Sequence, residues 1–443
     1  MTDLEIKIWE QFKAHRISDR AVVIALSGGV DSVVLLDVTS RLSGPLKLQV
    51  SAVHVNHHLH VESPNWAQFC LNLCADHQID LKVFDVQISP QSRLGVEGAA
   101  REARYSALLS HSEGTVVLAH HQDDQVETFF LQAVRGSGVD GLSGMLSIRD
   151  DFDSGKQIFR PMLGVERKEI MAYAKQRGLK WIEDPSNSDH KFSRNYFRND
   201  ILPQLRSRFP AFDRSILNAV QNLTEVGELI AELATQDIDV LTSSCGGLAI
   251  DGLSQLSQPR AINIFRELFR RRGAVAPGRS WMIEALRQCT DAKRSASVSV
   301  DTKHVSIRRY RNYCYVLNKD SRISENWSKV WQGEAIVDLP FGLGYLQFTE
   351  SVGEGVSRQL LESGDVTIAF GAGNKRFSLG RNRPRRTLRK IWQLDGVPPW
   401  VRLNTPVAFS ADEALFVGNI GVSGHCAAQE NQPSIIIEWR LDN

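Results

Sequence analysis

The stretch Ala21-Val22-Val23-Ile24-Ala25-Leu26-Ser27-Gly28-Gly29-Val30-Asp31-Ser32 decides the fold of the first part of this 443-residue chain. Its first six residues form an unbroken apolar run, which is typical of a strand buried on both faces of a parallel sheet. The two glycines let the backbone approach an anion closely, and residues 33–42 then show the helical period. A strand, a glycine-rich turn and a helix N-terminus in this order predict a phosphate-binding loop.

The polar groups of this loop suit a phosphate. The hydroxyls of Ser27 and Ser32 and the backbone amides of residues 28–30 can donate hydrogen bonds to phosphate oxygens. Asp31 would repel a bare phosphate, so its presence indicates a bridging Mg²⁺ or a role in orienting the loop. A glycine-rich turn with a capping serine is the simpler alternative, but the full Ser-Gly-Gly-x-Asp-Ser string is more specific than a pair of glycines.

Apolar runs and helical segments alternate as far as residue 135. The strand-like runs are residues 21–26, 48–55, 81–86 and 115–119. The helical segments are residues 33–42, 63–77, 99–110 and 124–134. This alternation predicts an α/β fold with a doubly wound parallel sheet, whose ligands lie beyond the carboxyl ends of the strands.

Other nucleotide-binding motifs are absent or misplaced. The sequence contains no G-x-x-x-x-G-K-[ST] string, which disfavours a Walker-type kinase or GTPase. Residues 136–141 match G-x-G-x-x-G but follow a helical segment rather than a strand, so we predict a loop there and no dinucleotide site.

The chain is long enough for two or three domains, because single cores rarely grow past about 250–300 residues. An amphipathic helix beginning near Asp213 marks the first boundary. Residues 260–319 carry fourteen Lys or Arg against four Asp or Glu, first with the helical period and then, from residue 298, with a strand-like pattern. The predicted domains are residues 1–212, a mostly helical basic domain at 213–325 and a small α+β domain at 326–443.

The loop string resembles the PP-loop of the N-type ATP pyrophosphatases, enzymes that split ATP into AMP and pyrophosphate while adenylating a carbonyl-type oxygen. Further strings resemble the tRNA(Ile)-lysidine synthetases, strongly over residues 20–210 and more weakly in the basic C-terminal region. These strings are residues 54–57 (His-Val-Asn-His), 98–105, 119–128, 135–138, 182–187 and the pair Arg194-Asn195.

The resemblance implies that ATP adenylates the C2 oxygen of the wobble cytidine in the CAU-anticodon isoleucine tRNA. The ε-amine of free L-lysine then displaces AMP and gives lysidine. The residues expected to carry the chemistry are Asp31, Asp124, Asp184, His121 and Arg194. Those expected to bind ATP are Ser27, Gly28, Gly29, Val30, Asp31, Ser32 and Arg101, with Asp31 as the Mg²⁺ ligand. Because lysine arrives as an ammonium, a carboxylate must bind it and take its proton, and Asp124 and Asp184 are the candidates.

Simpler explanations stand beside these assignments. A helix dipole alone favours acids such as Asp123 and Asp124 in a first turn, although it does not explain the two histidines directly before them. Arg101 and Arg194 could instead be ordinary solvent-exposed surface residues that bind no ligand. The histidines of residues 54–60 have no cysteine at zinc-finger spacing, so we expect a substrate-facing loop there rather than zinc.

Cysteine usage separates two enzyme classes. Cys70 and Cys74 lie four residues apart in a helical segment and are predicted to be core residues. Related PP-loop enzymes that thiolate tRNA generally need a cysteine pair, and no C-x-x-C occurs here. A PP-loop tRNA thiolase is therefore one alternative, and a non-catalytic nucleotide- and RNA-binding protein is another.

The 52 Lys and Arg nearly balance the 51 Asp and Glu, so only local charge can indicate a polyanionic partner. The sixteen residues 375–390 carry eight Lys or Arg and no acid, which predicts contacts to a tRNA backbone. Trp392 and Trp400, nearby, are candidates for RNA stacking or for the core. The sequence leaves open whether the chain acts as a monomer or a homodimer.

The chain begins without the uninterrupted apolar core of a signal peptide, since charged residues recur within its first ten positions. Its apolar runs are far shorter than the roughly 20 residues needed to cross a bilayer. No membrane association is expected, and the expected location is the cytoplasm.

Overall fold

The computed structural model describes residues 1–56, 58, 61–86, 95–111, 114–151, 154–185, 189–191, 193–243, 246–293, 298–319, 327–340 and 342–441, with the backbone alone at 95–101 and 111. The chain divides into two compact units, Met1–Leu233 and Ala234–Asn443. Among the described helices, none has the length and apolar character that a bilayer span requires.

The first unit is built on a six-stranded sheet. Its strands are β1 (Ala21–Ala25), β2 (Gln49–Asn56), β3 (Asp80–Asp85), β4 (Thr115–Val117), β5 (Ile148–Asp151) and β6 (Lys156–Phe159). They lie in the order β3-β2-β1-β4-β6-β5, and every pair is parallel except β5–β6. The strand order reverses between β1 and β4, so the loops after these two strands meet at the switch point where such sheets bind ligands.

The helices of this unit follow the strands in the predicted alternation. They are α1 (Asp3–Ala14), α2 (Val30–Leu46), α3 (Ser63–Asp76), α4 (Gly95–His111), α5 (Gln122–Val134), α6 (Val139–Leu142), α7 (Arg167–Gln176), α8 (Ser193–Tyr196), a π-helical turn (Phe197–Ile201) and α9 (Leu202–Arg208). A long helix, α10 (Phe212–Leu241), spans the boundary between the two units.

Both faces of the sheet are covered. Val22 and Ile24 of β1 lie in one core together with the apolar side of α2. Val23, between them, lies in a second core with Leu108 of α4. A strand buried on both faces must be apolar at successive positions, and this confirms the doubly wound sheet predicted from the run at residues 21–26.

Helix α7 is fixed against α2 by a buried polar contact. The Tyr173 hydroxyl donates to Asp37 Oδ2 at 2.6 Å and lies 3.1 Å from Glu5 Oε1 of α1. Arg177 Nε reaches the same Asp37 oxygen at 3.4 Å, and Arg41 Nε contacts Glu5 Oε1 at 2.7 Å. Burial and the two acids raise the pKa of Tyr173, so its hydroxyl stays protonated and joins the three helices.

The second unit contains the remaining elements. Its strands are β7 (Leu248–Ala249), β8 (Ser299–Asp301), β9 (Val305–Tyr310), β10 (Tyr313–Asn318), β11 (Ser328–Trp331), β12 (Ile336–Asp338), β13 (Tyr345–Val352), β14 (Val356–Ser357), β15 (Val366–Ala369), β16 (Arg376–Phe377), β17 (Arg386–Thr387), β18 (Val407–Ser410), β19 (Glu413–Val417), β20 (Gly421–Val422) and β21 (Pro433–Arg440). Its helices are α11 (Ile250–Gln255), α12 (Gln258–Arg270), α13 (Arg279–Asp291), α14 (Arg358–Glu362), α15 (Leu388–Leu394) and α16 (Pro399–Leu403).

These elements form three sheets. The order β7-β10-β9-β8 is antiparallel and shares a core with α11–α13, as the change from helical to strand-like pattern at residue 298 predicts. The other sheets have the orders β11-β15-β18-β19-β16-β17, with β20 beside β19, and β12-β13-β21-β14. The C-terminal part is therefore rich in short strands.

Two features differ from the sequence predictions. The edge pair β5–β6 is antiparallel and was not predicted. The segment 136–141, predicted to be a loop, begins as a turn at Gly136 (φ +69°) and continues into the one-turn helix α6. It follows helix α5, which agrees with rejecting it as a dinucleotide motif.

The two neighbouring glycines of the loop differ in backbone conformation and in the room available for a Cβ atom. Gly28 has a φ of +87°, and a Cβ there would lie 2.5 Å from Ile182 Cδ1, whereas Gly29 has a φ of −70° and its Cβ would meet only Ser27 Oγ, at 3.6 Å. Gly28→Ala should lower the free energy of unfolding by about 1–3 kcal/mol. Gly29→Ala should change it by less than about 0.5 kcal/mol. Urea unfolding of both variants checks this, and equal losses would contradict it.

Candidate active site

The loop between β1 and α2 is shaped by its own hydroxyls. The Ser27 amide donates to Ser32 Oγ at 3.2 Å, and the Ser32 hydroxyl donates to the Gly29 carbonyl at 2.9 Å. The hydroxyl oxygens of Ser27 and Ser32 lie 3.1 Å apart. Gly29 is the N-cap residue of α2, and no side chain caps this helix. The first turn of α2 therefore keeps its amides and its positive dipole end for a ligand.

Two contacts hold the loop from either side. The Ile182 amide donates to the Gly28 carbonyl at 2.9 Å. His54 Nδ1 lies 2.8 Å from the Leu26 carbonyl, and burial lowers the pKa of His54, so the neutral ring donates this bond from Nδ1–H. His54 thus supports the loop from β2. The neighbouring His58 lies 2.7 Å from Asp85, while His57 and His60 lie outside the described residues.

Asp31 stands at the mouth of the loop with one oxygen engaged. Its Oδ2 lies 3.6 Å from His121 Nε2 and 3.5 Å from Arg167 Nη1. Its Oδ1 is buried and has no hydrogen-bond partner in the described part of the chain. Arg167 was not predicted from the sequence, because it belongs to a separate helix 136 residues further on.

The start of α5 brings the second predicted cluster to the same edge. His121 is the N-cap residue, and its backbone amide donates to Asp124 Oδ2 at 2.9 Å. Burial lowers the pKa of His121, but the nearby Asp31 and Asp124 outweigh burial and raise it. Burial raises the pKa of Asp124, but His121 and Arg194 outweigh it and hold that pKa well below its usual range. Asp124 is therefore a permanent carboxylate in the folded protein.

Two arginines close this cluster from α8 and the π-helical turn. Arg194 contacts Glu127 Oε2 at 2.6 Å and Asp124 Oδ1 at 2.9 Å. Arg198 contacts Glu127 Oε1 at 2.5 Å and Asp124 Oδ1 at 3.2 Å. The Glu127 side chain is 1% exposed. The two guanidinium charges therefore balance two carboxylates, of which one is fully buried.

Arg198 and the partners of Glu127 were not predicted from the sequence. The signal was present, since Arg194 and Arg198 are four residues apart and lie on one side of a helix. What the spacing does not give is the partner, because Glu127 lies about 70 residues earlier in the chain.

Two other predicted site residues are Asp184, which lies near the loop, and Arg101, whose side chain is outside the described part of the chain. Asp184 is partly exposed and lies two residues beyond Ile182, whose amide binds the loop, so its segment is held beside Gly28. Arg101 belongs to α4, where the description covers only its backbone. The structure thus brings Asp31, His121, Asp124 and Arg194 together, with Asp184 near the loop.

The implied Mg²⁺ fits the residues at the loop. Within the described residues, no group of three His, Cys, Asp or Glu side chains is arranged to hold a metal ion. Mg²⁺ is often bound through one or two carboxylates together with substrate phosphates, and it does not need a protein cage. The buried, unpartnered Asp31 Oδ1 is a donor of that kind.

The basic run of residues 375–390 presents its cations on the surface of the second unit. Arg385 pairs with Glu413 at 2.9 Å, and Lys375 donates to the Ala411 carbonyl at 2.6 Å. Arg381, also exposed, donates to the Ala428 carbonyl. Five further exposed members make neither an ion pair nor a side-chain hydrogen bond in the described part of the chain, namely Arg376, Arg383, Arg386, Arg389 and Lys390. Trp392 is 1% exposed and donates to Asn419 Oδ1 at 3.3 Å, so it is a core residue and does not stack on RNA.

Trp400 joins two parts of the second unit. Its ring lies 5.2 Å from that of Tyr315 and 6.2 Å from that of Tyr310, centroid to centroid, and the Arg308 guanidinium lies 5.6 Å from it. Arg311 donates to the Gln393 carbonyl beside it. These contacts pack α16 against β9 and β10, so Trp400 has a structural role.

The fold and the loop define the class of the protein. A model of the PP-loop domain matches residues 2–205, which include the switch point and the Asp31 and Asp124 clusters. The first unit is therefore a PP-loop domain, and it uses ATP. Models of the TilS substrate binding domain and the TilS substrate C-terminal domain match residues 248–315 and 366–439.

Relatives extend the match to the whole chain. The tRNA(Ile)-lysidine synthase of Nitrosomonas europaea is 36% identical over 99% of this chain and 96% of its own. That of Serratia proteamaculans is 34% identical over 99% and 98%. Among solved structures, a U34-tRNA thiolase from Methanococcus maripaludis aligns with a TM-score of 0.43 and 16% identity over 50% of this chain and 78% of its own. The chain belongs to the tRNA(Ile)-lysidine synthase family.

Removing the Glu127 charge should destabilise the first unit. Glu127→Gln keeps the shape but leaves two guanidinium groups facing a single carboxylate. Breaking a buried pair from one side should lower the free energy of unfolding by about 3–5 kcal/mol. Glu284→Gln is the matched control, since Glu284 forms an exposed pair with Arg287, and it should change little. Chemical denaturation compares the two variants, and equal effects would show that the Glu127 cluster contributes no more than a surface pair.

Proposed function

We propose that this protein is an ATP-dependent ligase that joins free L-lysine to C2 of the wobble cytidine in the CAU-anticodon isoleucine tRNA. The products are lysidine-containing tRNA, AMP and pyrophosphate, and the reaction takes place in the cytoplasm, where the three substrates meet. The observation that carries the proposal is the uncapped helix α2 beside the His121, Asp124 and Arg194 cluster at one sheet edge. Family membership along the whole chain supports the choice of substrate.

In the first half-reaction the C2 oxygen of cytidine attacks the α-phosphorus of ATP. The bond from that phosphorus to the bridging oxygen breaks, and pyrophosphate leaves with the bonding electron pair. The amides of residues 28–30 and the dipole of α2 stabilise the charge on the departing group. Asp31 would hold Mg²⁺ through Oδ1, and the ion when bound neutralises phosphate charge. Arg101 is the candidate for the remaining contacts to ATP.

In the second half-reaction the ε-amine of lysine attacks C2 and AMP leaves with the former C2 oxygen. The ammonium must first give up a proton to a base. Asp124 is poorly placed to accept this proton, because its Oδ2 accepts the His121 amide and its Oδ1 accepts from Arg194 and Arg198. We assign Asp124 to orienting His121 and Arg194, and Asp184 to binding the ammonium and accepting its proton.

The thiolase alternative is disfavoured by the state of the cysteines. Burial raises the pKa of Cys70 to about 12 and that of Cys74 to about 11, so both thiols are protonated at neutral pH. Both lie in the core against α2, as predicted. Thiolates are the reactive form in sulfur transfer, and these two are not available as thiolates.

In this proposal residues of both units contact the tRNA. The anticodon base must enter the loop region of the first unit. The five exposed cations of the basic run that make no ion pair or side-chain hydrogen bond within the described residues are suited to the phosphate backbone. Contacts of this kind to phosphate oxygens would position the tRNA without reading its sequence.

The two half-reactions should respond to different carboxylates. ATP and tRNA without lysine should give a burst of pyrophosphate. Asp31→Asn should slow this burst by about tenfold to a hundredfold, because the neutral amide cannot replace a charge-assisted interaction. Asp184→Asn should leave this burst intact and raise the apparent Michaelis constant for lysine by about tenfold to a hundredfold. A pyrophosphate assay with and without lysine separates them.

The outcomes of this assay decide between the functions. An unimpaired burst in Asp31→Asn would remove Asp31 from the mechanism. Unchanged lysine kinetics in Asp184→Asn would remove Asp184. The absence of any tRNA-dependent pyrophosphate release by the unmodified protein would favour the non-catalytic alternative.

The basic run should bind tRNA through phosphates. Replacing Arg383, Arg386 and Arg389 by Ala should weaken tRNA binding and flatten the plot of log affinity against log salt by roughly 0.7–0.9 for each phosphate that is no longer neutralised. Arg358→Ala is the control, since Arg358 is held by Glu350 and Glu362, and its slope should match that of the unmodified protein. Titrations at several salt concentrations measure the slope. An unchanged slope in the triple variant would mean that the tRNA is held elsewhere.

A further inference from the structure

Helices α2 and α7 run parallel and in register. Asp31 of α2 contacts Arg167 of α7, and Asp37 contacts Tyr173. Both contacts join residues that are 136 positions apart, so the two helices have the same direction and advance together. The buried bond between Tyr173 and Asp37 fixes this register about two turns beyond the start of α2. The first residue of α7, Arg167, is therefore presented beside the first turn of α2.

The charge balance of the site leaves Arg167 as an available cation. Arg194 and Arg198 are held by two buried carboxylates at 3.2 Å or less. The next residue, Lys168, pairs with Glu166 at 2.5 Å and its side chain is 78% exposed. Within the described residues Arg167 pairs only with Asp31, at 3.5 Å, and its side chain is 44% exposed. A guanidinium has five N–H donors, so most of those on Arg167 remain for a ligand.

We propose that Arg167 is a pyrophosphate-binding residue, which serves as the counter-ion of Asp31 before ATP arrives and contacts the β- and γ-phosphates once it is bound. This inference rests on the proposed function. The amides and hydroxyls that the loop offers are neutral, whereas the leaving group carries several negative charges. The planar guanidinium fork matches two phosphate oxygens at once and supplies the missing full positive charge. Its departure from Asp31 leaves His121 as the remaining neighbour of the Oδ2 atom of that carboxylate.

The test uses the full chain without tRNA and inorganic pyrophosphate with MgCl₂ as the probe. Isothermal titration calorimetry should show pyrophosphate affinity about tenfold to a hundredfold weaker in Arg167→Gln than in the unmodified protein. Arg167→Lys should recover part of the loss, because an ammonium keeps the charge without the fork. Lys168→Gln is the matched control, with the same charge change one residue away, and should bind pyrophosphate normally. AMP, which lacks the β- and γ-phosphates, should bind all four proteins equally.

The outcomes separate this inference from the proposed function. Equal pyrophosphate affinity in Arg167→Gln and the unmodified protein would overturn the role of Arg167 and leave the proposed function standing. A loss shared by Lys168→Gln, or an equal loss of AMP affinity, would also overturn it, because the effect would then be general. If the unmodified protein bound neither pyrophosphate nor ATP, the proposed function would fail together with it. A urea unfolding midpoint unchanged in Arg167→Gln confirms that the half-exposed substitution leaves the fold intact.

Discussion

The site depends on the hydrogen bond from the Ile182 amide to the Gly28 carbonyl, made in a loop whose left-handed backbone favours glycine. The left-handed φ of Gly28 turns the chain so that α2 begins without a side-chain cap and points its amides out of the switch point. Since the bond from Ile182 carries the segment of Asp184 to the same place, one backbone contact brings the phosphate-binding end and a candidate lysine-binding carboxylate together. A Cβ at Gly28 would lie 2.5 Å from Ile182 Cδ1, so Ile182 would have to shift to admit any other residue there.

Around this fixed loop the charges are balanced in pairs. Asp124 and Glu127 are buried and would be costly alone, but Arg194 and Arg198 neutralise them and satisfy their oxygens. The raised pKa of His121 belongs to the same balance, because the ring lies between Asp31 and Asp124. Such preorganised charge needs little rearrangement during a reaction that moves a proton and releases an anion.

Much of this could be predicted from the sequence, and the limits follow from the range of the interactions. The strands, the helices of the first unit and the loop depend on local pattern, so the periods at residues 21–134 were sufficient to predict the doubly wound sheet. The roles of Arg167 and Arg198 depend on partners 136 and about 70 residues away, which a local pattern does not contain. The same limit applies to Trp392. Its hydrogen bond to Asn419 depends on a residue distant in the sequence, so the local pattern could not decide between a core position and stacking on RNA.

The most direct test of the central claim is mass spectrometry of the nucleosides from isoleucine tRNA incubated with the protein, ATP and lysine. The expected product is a cytidine at the wobble position that has gained lysine and lost water, formed only when both ATP and lysine are present. Formation of AMP and pyrophosphate should match the modified nucleoside in amount. An unchanged wobble cytidine despite ATP cleavage, or a product that contains sulfur, would contradict a lysidine-forming function.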